Sequence, residues 1–399
     1  MKKILLLGGS MQQVIAIQRS KKLGYFTVLC DYLEDNPGRK VADKFYLAST
    51  TDKELILDIA KKEEIDGIVC YASDPAAATQ AYVAEKMNLC GNPYESVKVL
   101  SDKGLFREFL MKNGFNVPKF KIYCDYQELE KDEDFFTYPV MLKPVDSSGS
   151  KGVVKLNSLS NCIKEFENAI KYSRSKKVII EEFIEPYNYQ VAGDGFSVNG
   201  KLKFYCLGND HFSDNSPNPF TPVAASFPLK MENYLKKDIV CEIQKVFDLL
   251  KLKTGAYNFD IRVGKNKKVY LMEIGPRNGG NMIPQVIKYA TGVDLLDYTI
   301  RAAMGDSCDN LDLVKINGYY AYYAIHSNCS GILENIFIDD EIKQNILEQH
   351  FTCSIGDFVH SFTGSNGTIG ILLLKFSSMD DMIFKINNMD KFICVKVGE

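Results

Sequence analysis

Two acids and an arginine stand close together in the stretch 257–280, YNFDIRVGKNKKVYLMEIGPRNGG. Asp260 and Glu273 each lie in a short apolar run, 257–263 and 268–274, and the polar residues 264–267, GKNK, join the two runs as a turn would. The stretch therefore reads as a β-hairpin. Side chains alternate between faces along a strand, so a suitable register turns both acids to one side. Two carboxylates on a rigid platform can bind Mg²⁺ or Mn²⁺ beside an anionic ligand, since Mg²⁺ takes one or two carboxylates and fills its shell with phosphate oxygens and water. Arg277, just past the second strand, adds a planar fork that fits a carboxylate or a phosphate.

A second chemical feature lies upstream. Residues 145–153, VDSSGSKGV, form a small-residue loop between two strand-like runs. Backbone N–H groups of such a loop can converge on phosphate oxygens, and glycine permits close approach. The loop lacks G-x-x-x-x-G-K-[ST], and a strand rather than a helix follows it, so it is not a Walker loop.

These groups need a frame. Residues 1–93 alternate strands (3–7, 26–30, 67–71) with helices (11–23, 53–63, 75–87), with Asp74 as the cap of the last helix. That pattern predicts a doubly wound parallel sheet. Asp31 stands where a dinucleotide fold places its ribose acid, but the turn GGSMQQ lacks the third glycine of that fingerprint. The strand ends are better read as an edge facing substrate. Residues 94–175 read as an α+β unit with a helix at 102–113 capped by Ser101 and strands at 120–123 and 139–144. Residues 176–305 read as a third unit. It holds a strand at 178–182, a hairpin at 190–198 and 201–208 around Asn199 and Gly200, a proline-rich loop near 218–228, a helix at 232–250, the acidic hairpin and a helix at 284–304. Residues 306–399 form a C-terminal, mostly-β subdomain with one helix near 341–350 and no chemical motif of its own.

Composition sets the outer bounds. A chain of 399 residues with 46% hydrophobic residues buries a sizeable core, and its net charge of −3 argues against binding nucleic acid or a membrane surface through global charge. The eleven cysteines include no C-x-x-C pair, which fits reduced thiols rather than zinc or disulfides. The opening MKKILLLGGS runs directly into two glycines with no cleavage site, so it reads as a buried first strand and the protein as cytoplasmic.

The order of these pieces over about residues 1–305 resembles the ATP-grasp superfamily of carboxylate–amine ligases. The resemblance implies roles for residues that are individually unremarkable. Lys103, in SDKGLFRE, and Lys143, in VMLKP, match the two lysines that neutralise ATP phosphates. Ser147, Ser148, Gly149 and Gly152 match the flexible loop over those phosphates. Glu181, Glu182, Phe183 and Ile184 match the linker whose backbone meets adenine, and Gln190 stands near the ribose-binding position. Asp260 and Glu273 match the paired metal acids. Arg277 matches the arginine that holds the acyl phosphate, which makes Arg277 and Lys143 the catalytic candidates.

Three positions depart from the pattern. Gly275 replaces an oxygen ligand two residues after Glu273, leaving Asn278 or water to substitute. Asp260 stands where glutamate is commoner. Arg262 replaces an apolar residue under the base and is expected to reach a nucleotide or substrate group, or to form an ion pair. The implied fold is an N-terminal parallel-sheet domain (1–93), a two-part ATP-grasp module (94–175 and 176–305) and the C-terminal subdomain (306–399). The implied function is amide or peptide bond formation from ATP, a small carboxylate and an amine (amino acid or sugar acid), with Mg²⁺ or Mn²⁺, in a possible homodimer. A purine-pathway-type carboxylase or formyltransferase, a small-molecule kinase and a non-catalytic nucleotide binder are the alternatives.

Overall fold

A computed structural model describes residues 1–398. Its first sheet is four-stranded and wholly parallel, in the order Lys44–Leu47, Phe26–Asp31, Lys3–Leu7, Gly67–Val69. Alternation along the first strand explains its two buried faces. Leu5 and Leu7 pack on one side with Ile56, Ile59 and Ala76 of the helices Lys53–Glu63 and Asp74–Lys86. Ile4 and Leu6 pack on the other with Ala16 and Ile17 of Met11–Lys22 and with Leu296 and Ile300 of Leu295–Ala303. A helix from late in the chain thus closes the N-terminal sheet and fixes it against the rest of the molecule. The edge strand Lys44–Leu47 is only partly covered and has no counterpart in the sequence reading.

The second sheet is antiparallel: Phe120–Tyr123, Val178–Glu182, Val140–Pro144, Val154–Leu156. Its leading helix, Lys103–Lys112, is capped by Asp102, whose side chain accepts from the Leu105 amide at 3.0 Å. This corrects the Ser101 cap and the start at residue 102. In the same way, Ser73 is the cap position before Asp74–Lys86, and Asp74 is its first helical residue.

The third sheet has eight strands, ordered Val269–Gly275, Gly255–Val263, Gln190–Val198, Lys201–His211, Ala224–Phe227, Tyr319–His326, Thr368–Phe376, Ile346–Phe351. Its last three strands come from beyond residue 305, so the C-terminal section extends the central sheet. The segment expected as a helix at 341–350 is instead a single turn, Asp340–Lys343, followed by the strand Ile346–Phe351. Alternating burial along that strand is the period-two signature of a sheet edge. A three-stranded sheet, Phe358–Val359, Gly331–Ile338, Ile393–Gly398, completes the section. No helix of the described residues is long and apolar enough to cross a membrane.

Candidate active site

The hairpin sets the register. Asp260 pairs directly with Glu273 across the strands, so the two acids share one face, and the irregularity falls just after them, between Asp260 and Ile261. That face opens on a cleft of about 1460 Å³ between the three sheets. Lys103, Lys143, Ser147, Ser148, Gly149, Phe183, Gln190, Asp260, Arg262, Glu273 and Arg277 all line it. Gly152, Glu181, Glu182 and Ile184 do not.

Lys103 begins its helix, and its backbone amide donates to Val145 O at 2.8 Å, tying it to the small-residue loop. Its Nζ reaches Glu273 Oε2 at 2.9 Å and Ser147 O at 3.1 Å. Burial alone would raise the Glu273 carboxyl and lower the Lys103 ammonium. Their mutual attraction reverses both, so the acid sits below its ordinary range and the lysine above. Lys143 lies on the neighbouring sheet and pairs with Glu181. Here burial outweighs the partner, and its ammonium is held below the usual lysine range.

Glu181 is therefore a brace. Its carboxylate, 1% exposed, also accepts from Arg107 Nε at 2.9 Å, and Arg107 Nη1 donates to the carbonyls of Leu271 and Met272 at 3.2 and 2.9 Å. Burial would raise the Glu181 carboxyl, but Arg107 and Lys143 prevail and hold it at about 2. One ionic cluster thus joins the Lys103–Lys112 helix, the strand carrying Lys143 and the strand carrying Glu273. The sequence reading missed Arg107. Its signal was present: Lys103, Phe106, Arg107 and Leu110 share a helix face, and a cation among apolar residues on that face needs a buried partner.

The linker is engaged at both ends. Glu182 N donates to Lys119 O and Phe183 N to Pro139 O, each at 2.9 Å, and Glu182 Oε1 accepts from the Thr137 amide at 2.8 Å. Arg262 spans this region. Its Nη1 donates to Ile184 O at 3.2 Å, its Nη2 donates to Gln190 Oε1, and its guanidinium carbon lies 5.2 Å from the Phe183 ring centroid. It braces the linker. The Gln190 oxygen expected to accept from ribose is taken by Arg262, and Gln190 Nε2 donates to Asp210 Oδ2 at 3.2 Å.

The two cross-strand acids differ in their partners. Asp260 is half-buried at the cleft wall, and its buried Oδ1 has no hydrogen-bond partner among the described residues. Burial pushes its carboxyl up to about 6, with Arg262 opposing and Glu273 adding to the rise. Asp210 is pushed further, to about 8, by burial and by Asp260. An orphaned buried oxygen beside a second carboxylate fits a divalent cation. Asn278 does not supply the missing ligand at Gly275. It is fully buried away from the cleft, and its Oδ1 accepts from Thr299 Oγ1 at 2.9 Å. Gly275 is small for a steric reason: a Cβ there would stand 3.1 Å from Asp74 Oδ1 and 3.4 Å from Arg277 Cζ.

Those two residues are partners. Arg277 Nη2 lies 2.5 Å from Asp74 Oδ1, and its Nη1 donates to Asn278 O at 2.9 Å. The following turn is held by Asp194, which accepts from Gly279 N at 2.8 Å and Asn258 Nδ2 at 2.9 Å. Burial pushes the Asp194 carboxyl up to about 6. The small-residue loop sits across the cleft. Gly149, Ser150 and Gly152 all have positive φ, and the amides from Ser147 to Gly152 donate to no acceptor among the described residues.

The chain and its fold have counterparts among known proteins. Residues 109–294 match the family model described as "D-ala D-ala ligase C-terminus". The chain is 26% identical over 283 residues to a formate-dependent phosphoribosylglycinamide formyltransferase of Wolinella succinogenes, covering 69% of this chain and 70% of that protein. Its fold is similar to that of an L-amino acid ligase from Bacillus licheniformis, with a TM-score of 0.82, 21% identity and coverage of 100% and 99% of the two chains. It is also similar to the biotin carboxylase domain of Hydrogenobacter thermophilus 2-oxoglutarate carboxylase, solved with MgADP and bicarbonate. That comparison gives a TM-score of 0.76, 16% identity and coverage of 100% and 92%. These likenesses show that residues 109–294 resemble the D-ala D-ala ligase C-terminal domain and that the whole chain shares the fold of the ligases and carboxylases it matches.

Proposed function

We propose that the cleft joins a small carboxylate to an amine at the expense of ATP. The observation that carries this reading is convergence: two lysines from separate elements, two cross-strand acids, Arg277 and a loop of unbonded amides face one cavity. Phosphoryl transfer needs positioning and charge stabilisation more than covalent help from the protein, and this set supplies both. Lys103, Lys143 and the amides of 147–152 hold the phosphates. The γ-phosphoryl group passes to the substrate carboxylate, which gives an acyl phosphate and ADP. The amine then attacks the acyl carbon, phosphate leaves, and an amide remains. Asp260 and Glu273 would hold Mg²⁺, which supplies charge neutralisation when bound. Arg277 would bind the carboxylate beside the γ-phosphate, where repulsion would otherwise exclude it.

Asp31, Asp35 and Asp74 line the cleft from the N-terminal unit, with Asp31 accepting from the Gly9 and Leu33 amides and Asp74 paired with Arg277. The proposed nucleophile is an amino acid or a simple amine. The test is a screen of amino acids and sugar acids, in pairs, for ADP formation that requires both carboxylate and amine. ADP formation that needs the carboxylate alone would replace the ligase by a kinase.

A further inference from the structure

The small-residue loop is fastened from outside by two segments to which the sequence assigns no chemistry. Asn218, between the strands Lys201–His211 and Ala224–Phe227, donates through Nδ2 to Ser150 O at 3.1 Å and to Thr363 O at 2.9 Å. Its Oδ1 accepts from Phe220 N at 3.0 Å, which fixes the rotamer. Ser150 Oγ returns a bond to Phe220 O at 2.9 Å. From the C-terminal section, Ser365 N donates to Gly149 O at 3.3 Å. The contact is close: a Cβ on Gly149 would meet Ser365 Oγ at 2.2 Å, and one on Gly364 would meet Gly149 O at 2.9 Å and Lys151 Cγ at 3.1 Å. The same amide of Asn218 therefore bridges the loop on one sheet to the C-terminal turn on another.

We propose that Asn218 is a positioning residue that holds the loop 147–152 over the nucleotide phosphates, with the 363–366 turn as the second jaw of the clasp. The inference rests on the reading of that loop as the phosphate loop. Its physical content is preorganisation. Free amides bind phosphate well only if the loop is already in place, and an unfastened glycine-rich loop loses conformational entropy on binding. The clasp also gives the C-terminal section a direct hold on nucleotide affinity.

Asn218→Asp keeps the oxygen that caps Phe220 and removes both donated bonds. Gly364→Ala leaves Asn218 intact and pries the other jaw, at a backbone φ of −178° that alanine adopts freely. The experiment follows tryptic cleavage after Lys151, identified by mass, in the full-length protein with and without a non-hydrolysable ATP analogue, together with KM for ATP and for the carboxylate. Two lost hydrogen bonds correspond to about tenfold or more. Asn218→Asp is expected to be cut about tenfold faster and to need about tenfold more ATP, and Gly364→Ala to shift both in the same direction, with KM for the carboxylate unchanged in each. Wild-type-like cleavage and KM for ATP in a folded variant overturn the clasp while leaving the phosphate loop in place. An analogue that fails to protect wild-type Lys151 overturns the phosphate loop itself, and the clasp with it. Should one variant not fold, the other decides.

Discussion

Lys103 Nζ lies 2.9 Å from Glu273 Oε2, so the lysine neutralises that acid directly. In the proposed reading the ammonium would serve a phosphate and the carboxylate a metal ion, so the pair must part for both to act.

A consequence is that metal should bind poorly alone. Displacing Lys103 strands its charge, and two carboxylates are a weak Mg²⁺ site. Titration of Mn²⁺ by calorimetry should show weak binding to the free protein and much tighter binding with ADP. Glu273→Gln should lose ADP formation by roughly 10²–10³ while keeping the fold. Tight Mn²⁺ binding without nucleotide would remove Lys103 from this role.

The Arg107–Glu181–Lys143 cluster makes a stability prediction. Removing Arg107 leaves Glu181 paired with Lys143 but takes a buried donor from that acid and from the carbonyls of Leu271 and Met272, at a cost of about 1–3 kcal/mol. Arg107→Ala is expected to lower the unfolding free energy by about that amount in denaturant titration. Arg107→Lys should recover only part of it, since Arg107 also ties down two carbonyls that a point charge cannot meet together. A loss within about 0.5 kcal/mol, the usual range for a surface substitution, would mean the cluster does not bear load.

How much of this was legible beforehand follows the range of each signal. The hairpin and the shared face of Asp260 and Glu273 were readable because turn chemistry and period two are local. The N-terminal sheet was readable because its strands are continuous apolar runs between capped helices. The stretch 341–350 was misread because its residues favour a helix locally, while pairing of Ile346–Phe351 with Thr368–Phe376 at the sheet edge decides the outcome. The links between positions 74 and 277, 107 and 181, and 218 and 363 carry no local period. Only the folded chain brings them together.

His211 gives the pH prediction. Its ring is buried between Ser226 Oγ and Asn387 Oδ1, each at 2.8 Å, and burial pushes it down to about 4. The folded state therefore resists protonation while the unfolded state accepts a proton near 6.5. The histidine contributes full stability above pH 6.5 and loses it as pH falls towards 4, after which its contribution is flat. Buried acids such as Asp194 act in the opposite sense over this range, so the difference from a variant is the proper readout. Relative to His211→Gln, the wild type should lose on the order of 3 kcal/mol between pH 7 and pH 4. Parallel pH dependences of the two proteins would show that the ring is protonated in the fold without cost.

Arg277 separates ligase from kinase. Asp74 holds its guanidinium at 2.5 Å, and Asp194 fixes the turn that follows through Gly279 N. The fork is thus preorganised at the cleft, with a carboxylate already on it. In the proposed reading an incoming substrate carboxylate would take the same kind of contact beside the γ-phosphate, and the cation would then stabilise charge on the acyl phosphate and on the species formed by amine attack. Losing one such contact costs about 3–4 kcal/mol of barrier, or roughly 10²–10³ in rate. Arg277→Ala should therefore keep ATP affinity and lose amine-dependent ADP formation by about that factor in single-turnover measurements. Arg277→Lys should restore only part, because an ammonium cannot meet Asp74 and substrate in the same plane. Asp74→Asn should weaken the carboxylate's hold less than Arg277→Ala does, because the guanidinium keeps its bond to Asn278 O. Full activity in Arg277→Ala would leave the residue as the structural partner of Asp74 and return the choice of reaction to the lysines.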